Sequence, residues 1–470
     1  MKPLKLLIIV IFILLSVNSS FGQGDAGQAG EFLRWGAGAR SLAMGRAFTA
    51  VADDPTAIYW NPAGLGQLDQ SAFSFMYSRL YYGTNYYYFA GAVPRDLIPS
   101  PALNTTFGVG YVGLKTDGFI GRDEFNRPTG SFSNSQSALY FAPTINWINS
   151  RFNINFGFNL TAFNHSLQDY NAWGLGADVG LIVQPLSPLK GRSIIQKFPL
   201  FQLQHLMAWR FAVNMHFLSS IKLNEEDEDY PNSLRFGISN SSIENLIDPL
   251  LDLIIPNKWI QGKPLSKVPM KVLLTYDYGK IFYDSNQNFS RPIRNEKRLG
   301  GEIRYCFLSG KNDMVGSFRF GHDFSGIKGE ENRFTWGCGL KADHEYLRKI
   351  TVEGLDIDYT FMRHPALDYV HTVSFSFKLG KGKYDVTKID TAEIKKKNET
   401  ELLRYLSKSL FDDRVKVDSS CYANYNKIAT KLFDIAKAQE DTFLMVRYDE
   451  FTKGFAIING KAKGIIDKFK

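Results

Sequence analysis

From Ser71 to Leu379 the chain alternates apolar and polar residues with a period of two, the mark of strands that bury one face. Phe152, Ile154, Phe156, Phe158, Leu160 and Ala162 interleave with Asn153, Asn155, Gly157, Asn159 and Thr161. Trp209, Phe211, Val213, Met215 and Phe217 interleave with Arg210, Ala212, Asn214 and His216. The same holds for Leu355, Ile357, Tyr359 and Phe361 against Asp356, Asp358 and Thr360, and for Val373, Phe375, Phe377 and Leu379 against Ser374, Ser376 and Lys378. The pattern predicts fourteen strands, at about 71–79, 84–94, 104–114, 136–147, 151–163, 173–184, 208–218, 232–240, 268–278, 298–307, 314–324, 334–341, 351–363 and 369–379. Most have the roughly nine to eleven residues that a tilted strand needs to cross a bilayer. An even number returns both ends to one side, so 115–135, 164–172, 219–231, 279–297 and 325–333 are expected as loops on the far side. Two near-side connections, 185–207 and 241–267, are long, and Ile243 to Ile255 in the second has the spacing of a short amphipathic helix.

The pattern changes outside this region. No Pro follows Pro365 and no Gly lies between Lys383 and Lys453. Leu402, Leu403, Leu406 and Leu410 fall on one helical face, as do Tyr425, Ile428, Leu432, Ile435 and Ala436. Residues 380–470 are therefore expected as an α-helical extension, and 23–70 as a separate segment before the first strand.

Alternation alone does not separate a soluble sandwich from a membrane barrel, because both bury one face. The N-terminus decides between them. Lys2 and Lys5 precede ten apolar residues, Leu6 to Leu15, and then Ser20-Phe21-Gly22, which reads as a secretory signal peptide over 1–22. The apolar run is too short to span a bilayer, and no later segment reaches the ~18 consecutive apolar residues of a membrane helix. An exported chain with 37 Phe, 23 Tyr and 40 Gly, and no such helix, fits a barrel whose apolar face meets lipid and whose polar face lines the interior. A net charge of +8 without a basic, aromatic-interleaved patch gives no reason to expect nucleic acid. Three cysteines, Cys306, Cys338 and Cys421, are too scattered for a disulfide framework.

The segment 36–66 reads GAGARSLAMGRAFTAVADDPTAIYWNPAGLG. Its small residues allow close backbone approaches, and Asn61-Pro62 favours a tight turn. Too small to fold alone, it is suited to fold back into a barrel lumen. Pro62 disfavours the α region at Asn61, so the chain is expected to be extended there, with the Asn61 amide turned to nearby backbone. Arg46, a long cation among small residues, needs a counter-charge. Asp53 and Asp54 are the nearest acids in sequence, with Asp356 and Asp358 as lumen alternatives.

With Ala43-Met44-Gly45, then Ala47-Phe48-Thr49-Ala50-Val51-Ala52-Asp53-Asp54, then Trp60-Asn61-Pro62-Ala63-Gly64, this segment resembles the PorV/PorQ family within the FadL-like group of outer-membrane proteins. The resemblance implies a fourteen-stranded barrel with an N-terminal hatch, and the hatch motif then falls on Asn61, Pro62, Ala63 and Gly64. Arg46 stands where the family usually has a second Gly, and the helical tail is an addition to the family plan. FadL-like members pass long-chain fatty acids or other hydrophobic compounds, and a kink in their third strand opens the wall. Gly108, Gly110 and Gly113 are the corresponding kink candidates. PorV-type members act in type IX secretion at the cell surface.

Rival chemistry finds little support in the sequence. Asn164-His165-Ser166 has lipase residue types, yet consecutive strand residues point to alternate faces and cannot form a relay. The Gly108-to-Gly113 match to a dinucleotide fingerprint lies within a strand with no following helix. The seven His show no metal-ligand spacing, and the acidic run from Glu225 to Asp229 reads as a solvated loop with some capacity for divalent cations or surface sugars.

The expected architecture is all-β: a 14-stranded antiparallel transmembrane β-barrel over 71–379, with signal peptide 1–22, hatch 23–70 and a periplasmic α-helical extension 380–470. The expected role is handling hydrophobic small molecules or secreted proteins at the outer membrane, without catalytic residues, metal or cofactor. The alternatives are a secretion-associated protein-binding barrel and a barrel hydrolase. The partners expected are outer-membrane lipid and a periplasmic protein bound by the C-terminal helices.

Overall fold

The computed structural model describes residues 30–81, 83–95, 97, 103–148, 152–185, 209–219, 221–223, 226–228, 230–241, 270–282, 294–308, 313–324, 333–343, 352–364 and 368–380. The signal sequence, most of the two long near-side connections and the C-terminal extension lie outside these residues.

Fourteen strands close into one antiparallel barrel. They are β1 (Ser71–Arg79), β2 (Thr84–Arg95), β3 (Leu103–Arg122), β4 (Pro128–Ile148), β5 (Phe152–Leu167), β6 (Tyr170–Pro185), β7 (Trp209–Leu218), β10 (Asn232–Asn240), β11 (Met270–Phe282), β12 (Arg294–Leu308), β13 (Asp313–Asp323), β14 (Arg333–Asp343), β15 (Val352–His364) and β16 (Asp368–Leu379). Two three-residue strands, β8 (Ile221–Leu223) and β9 (Glu226–Glu228), form a small ribbon on the far rim. Each barrel strand pairs with its neighbours in order, and β1 closes on β16 with Phe75 opposite Phe375. Closure leaves no open sheet edge, the condition a β-structure must meet to stand in hydrocarbon.

The two faces divide as the alternation predicts. Phe156 (48% exposed) and Leu160 (51%) project outward from β5, whereas Asn155 (1%) and Asn159 (0%) on the same strand point into the lumen. Phe75, Phe141, Phe211, Phe236, Phe318 and Phe375 are likewise exposed on the outside. Polar residues line much of the inner wall around an apolar core made largely of the hatch, with Leu42, Phe48, Ile58 and Trp60 buried in it, and the aromatic outer face is left for lipid. Several wall aromatics point inward instead, among them Tyr86, Tyr88, Tyr140 and Phe163. Phe163, fully buried, packs on Tyr230 with ring centroids 4.3 Å apart.

Two expected loops are mostly strand. β3 and β4 extend far beyond their neighbours, so that most of 115–135 is a hairpin turning at 123–127, with a register shift between Thr116 and Phe119. β5 and β6 run to Leu167 and from Tyr170, leaving a tight turn where 164–172 had been expected as a loop. Both hairpins continue by pairing with themselves after the apolar face ends, so a pattern tuned to lipid contact stops short of them.

Candidate functional site

Residues 30–70 lie inside the barrel. Ala37, Ala39, Ala43, Ala47, Ala50, Ala57 and Ala63 are completely buried there. The segment is a chain of short turns: Glu31–Arg34, Ala39–Ala43, Ala57–Trp60 and Pro62–Gln67. Its small residues let its backbone approach the wall, and the wall answers with inward-facing glycines. A Cβ on Gly321 would stand 1.9 Å from the Gly45 amide nitrogen, and one on Gly157 would stand 2.3 Å from that of Ala63. On Gly180 it would meet Asn61 Oδ1 at 2.1 Å, and on Gly300 the Met44 carbonyl at 2.5 Å. The wall glycines therefore form steps on which the segment rests.

A buried irregular segment must find partners for its backbone groups, and lumen side chains supply them. Asp277 Oδ2 accepts from the amides of Phe48 and Thr49, both at 2.9 Å. Thr335 Oγ1 accepts from Gly45 N at 3.1 Å and donates to the Ala43 carbonyl at 3.0 Å. Thr144 donates to the Pro62 carbonyl at 2.8 Å, and Asn159 to that of Ile58 at 3.2 Å. Thr360 donates to the Ala39 carbonyl.

Asn61 is extended (φ −164°, ψ 104°), the geometry that Pro62 imposes. Its Oδ1 accepts from the Ala63 amide at 3.2 Å and its Nδ2 donates to the Thr49 carbonyl at 3.0 Å, tying two turns together. Gly64 packs so closely that a Cβ there would fall 2.0 Å from the Ala52 carbonyl.

The charges are wired differently from the sequence-based expectation. Arg46 does not meet Asp53 or Asp54. It pairs with Asp323 of β13 at 3.3 Å and lies over the Trp35 ring, 5.8 Å from its centroid. Burial, with Arg333 nearby, pushes its guanidinium pKa down to about 10. Its φ of 65° is left-handed, a conformation that favours Gly.

Asp53 and Asp54 instead take Arg40, at 2.5 and 3.4 Å. Arg40 also forks onto Glu302 of β12, with Nε and Nη2 each at 3.0 Å. Glu302, fully buried, further accepts from Arg304 (2.8 Å) and Arg319 (2.6 Å), and Arg319 reaches Asp358 at 2.7 Å. Burial pushes the Asp53 carboxyl up, but Arg40, Arg304 and Arg210 outweigh it and hold the group below its usual range. At Asp54 burial prevails and raises the pKa. Arg40 was missed in the sequence because its partner lies 262 residues away.

The bend expected at Gly108, Gly110 and Gly113 is absent from the pairing, which runs without a register shift through all three on both sides of β3. These glycines serve close packing instead. Gly108 and Gly110 face Ile58, and Gly108 also meets Leu65. Gly113 faces outward under the Tyr87 ring.

On the far-side face of the segment is a cavity of about 30 Å³, lined by Leu33, Tyr59, Tyr140, Leu218 and Ile281, with Arg34, Arg235, His216 and Ser233. It is large enough for a water or two. No group of three or more His, Cys, Asp or Glu is placed to hold a metal among the described residues.

No protein-family model matches the chain, and no curated protein matches it. Solved structures similar to it include the Ralstonia pickettii toluene transporter TbuX, at 12% identity and a TM-score of 0.41, covering 73% of this chain and 99% of that one. The Pseudomonas putida toluene transporter TodX is similar at 9% identity and a TM-score of 0.44, covering 77% and 100%. A Pseudomonas aeruginosa FadL homologue is similar at 9% identity and a TM-score of 0.35, covering 73% and 98%. At these values the likeness concerns architecture alone.

Proposed function

We propose that the chain is an outer-membrane barrel that passes small hydrophobic compounds inward, with residues 36–66 acting as a hatch. The observation that supports this reading is the plug itself: residues 30–70 close the lumen and are held there by hydrogen bonds and ion pairs to the wall, such as Arg40–Glu302 and Arg46–Asp323. A compound entering from outside meets a small cavity lined by apolar and charged side chains together, and then a plug held by reversible hydrogen bonds and ion pairs. Passage requires the hatch to shift, since its residues fill the lumen around 36–66 almost completely. The extension 380–470 would lie in the periplasm and bind a protein partner there.

The filled lumen also favours a second reading, a secretion-associated barrel of the PorV type whose rim binds exported proteins. Uptake separates the two. Vesicles carrying the full-length barrel should take up a fluorescent hydrophobic probe faster than empty vesicles, and Asn61→Ala should change that rate while insertion is unaffected. If no probe, from toluene-sized compounds to long-chain acids, enters faster than in empty vesicles, the transport reading fails and the secretion reading stands.

A further inference from the structure

Asp178 on β6, His216 on β7 and Ser233 on β10 lie on three adjacent strands. In the ladder Asp178 is directly opposite His216, and His216 directly opposite Ser233. All three point into the lumen, and such directly opposed side chains have Cβ atoms about 4.5–5.5 Å apart. Asn164-His165-Ser166 fails as a relay because consecutive residues alternate faces. A row across strands has no such restriction.

The contacts within the row are ordered. His216 Nδ1 bonds to Asp178 Oδ1. Asp178, 1% exposed, is itself held by Asn159, whose Nδ2 donates to its other oxygen at 2.8 Å. This fixes the imidazole by Nδ1 and leaves Nε2 for another partner. His216 and Ser233 both line the far-side cavity. Ser233 is 5% exposed, and its Oγ has no hydrogen-bond partner among the described residues. A buried hydroxyl without a partner calls for an explanation, and here it stands at a cavity beside an oriented histidine. Arg235, two residues further along the same face of β10, lines the same cavity and brings positive charge to it, with its Nε 3.3 Å from Glu296.

We propose that this row is an acyl-transfer site that hydrolyses short-chain esters inside the lumen. Ser233 Oγ attacks the ester carbonyl carbon as His216 Nε2 takes its proton. The carbonyl π pair moves onto oxygen, where Arg235 offsets the charge. The C–O bond to the alcohol breaks, and His216 returns the proton to the departing alkoxide. Water then attacks the acyl-serine by the same route, releasing the carboxylic acid and restoring Ser233. Asp178 takes no part in the transfer and acts as a positioning residue for the imidazole. The substrate class follows from the space: a cavity of about 30 Å³ leaves no room for a fatty acyl group, and even a short ester must displace the surrounding side chains to reach Ser233. This step is additional to the passage of compounds proposed above and does not depend on it.

The test uses the full chain, inserted in vesicles and verified as folded by its heat-modifiable migration. A fluorophosphonate probe should label the wild-type protein, and peptide mapping should place the adduct on Ser233. p-Nitrophenyl acetate should be hydrolysed faster than p-nitrophenyl palmitate. Ser233→Ala should lose the label and more than about 10⁴-fold in kcat, the scale of loss when a triad nucleophile is removed. Asp178→Asn should lower kcat with KM little changed and alter the pH profile, a signature that mere loosening of the wall would not produce. Uptake is read separately on the wild-type protein with a non-ester probe, which needs no acyl transfer, so failure of this proposal and failure of the transport reading are distinguishable. Folded wild-type protein that acquires no adduct at Ser233, and hydrolyses the acetate no faster than empty vesicles, would overturn the proposal and leave His216–Asp178 as a structural hydrogen bond.

Discussion

Replacing Arg40 with Met removes the hatch's charged grip on the wall while keeping a side chain of similar length. In the wild type the guanidinium forks onto Glu302 at 3.0 Å and holds Asp53 at 2.5 Å. Breaking a buried ion pair costs about 3–5 kcal/mol when the surviving charge is stranded. Glu302 is not stranded, since Arg304 and Arg319 still reach it at 2.8 and 2.6 Å, so the lower end, about 3 kcal/mol, is the reasoned value. The wall network survives and the loss falls on the hatch. If the whole loss appears in the docking equilibrium, the undocked population rises about 100-fold, at ~1.4 kcal/mol per factor of ten. Hydrogen exchange of peptides covering 36–66, measured by mass spectrometry on the inserted barrel, should speed up by about that factor, while strand peptides such as 152–167 stay protected. Glu302→Gln should loosen both hatch and wall, and the double variant should fall short of the sum because the sites share one network. Unchanged exchange at 36–66 in Arg40→Met would refute the view that this pair latches the hatch. Equal acceleration in the strands would mean that the charge stabilises the barrel as a whole.

The pH dependence of the same exchange follows from Asp53. Its pKa is depressed in the docked state, so its contribution is complete above the ordinary carboxylate value and is lost as pH falls through the lower docked value. Asp54, raised by burial, has the opposite sign, its contribution fading as pH rises through its docked value. The Asp53 part of docking should therefore be flat near neutrality and weaken only below about pH 4, the usual carboxylate range. Loss of that part on going from pH 8 to 6 would contradict the assignment. Gly180→Ala should undock the hatch by overpacking, at about 1–3 kcal/mol, because its Cβ would meet Asn61 Oδ1 at 2.1 Å. The same variant in a barrel lacking residues 30–70 should fold normally, and a folding defect there would place the strain in the wall. Phe156→Arg, on the lipid face, should cost ~2–4 kcal/mol in denaturant titrations of the barrel in vesicles if it sits near the midplane. No loss in lipid would argue against lipid contact at this position. Truncation after Gly380 should still give a heat-modifiable barrel, because β16 ends at Leu379 and closes on β1 without the tail. A truncated chain that never inserts would make the extension integral to the barrel.

The alternation of Phe156, Leu160, Phe211 and Phe375 with Asn155, Asn159, Ala212 and Ser374 determined the barrel strands and their number. Each of these follows from a period of two that is written locally in the chain. Pro62 likewise determined the extended backbone at Asn61, since the clash it imposes acts on its immediate neighbour. Three features were decided only by closure of the barrel. Arg46 met Asp323 and Arg40 met Glu302 because strand register, rather than sequence distance, sets which lumen residues share a level. Gly157, Gly180 and Gly321 carry no local sign of the hatch backbone that rests on them. Asp178, His216 and Ser233 became a row only when β6, β7 and β10 were paired. The inward face of a barrel carries no pattern of its own partners. Those are set by the stagger of the strands and the path of the hatch, and both are properties of the closed fold.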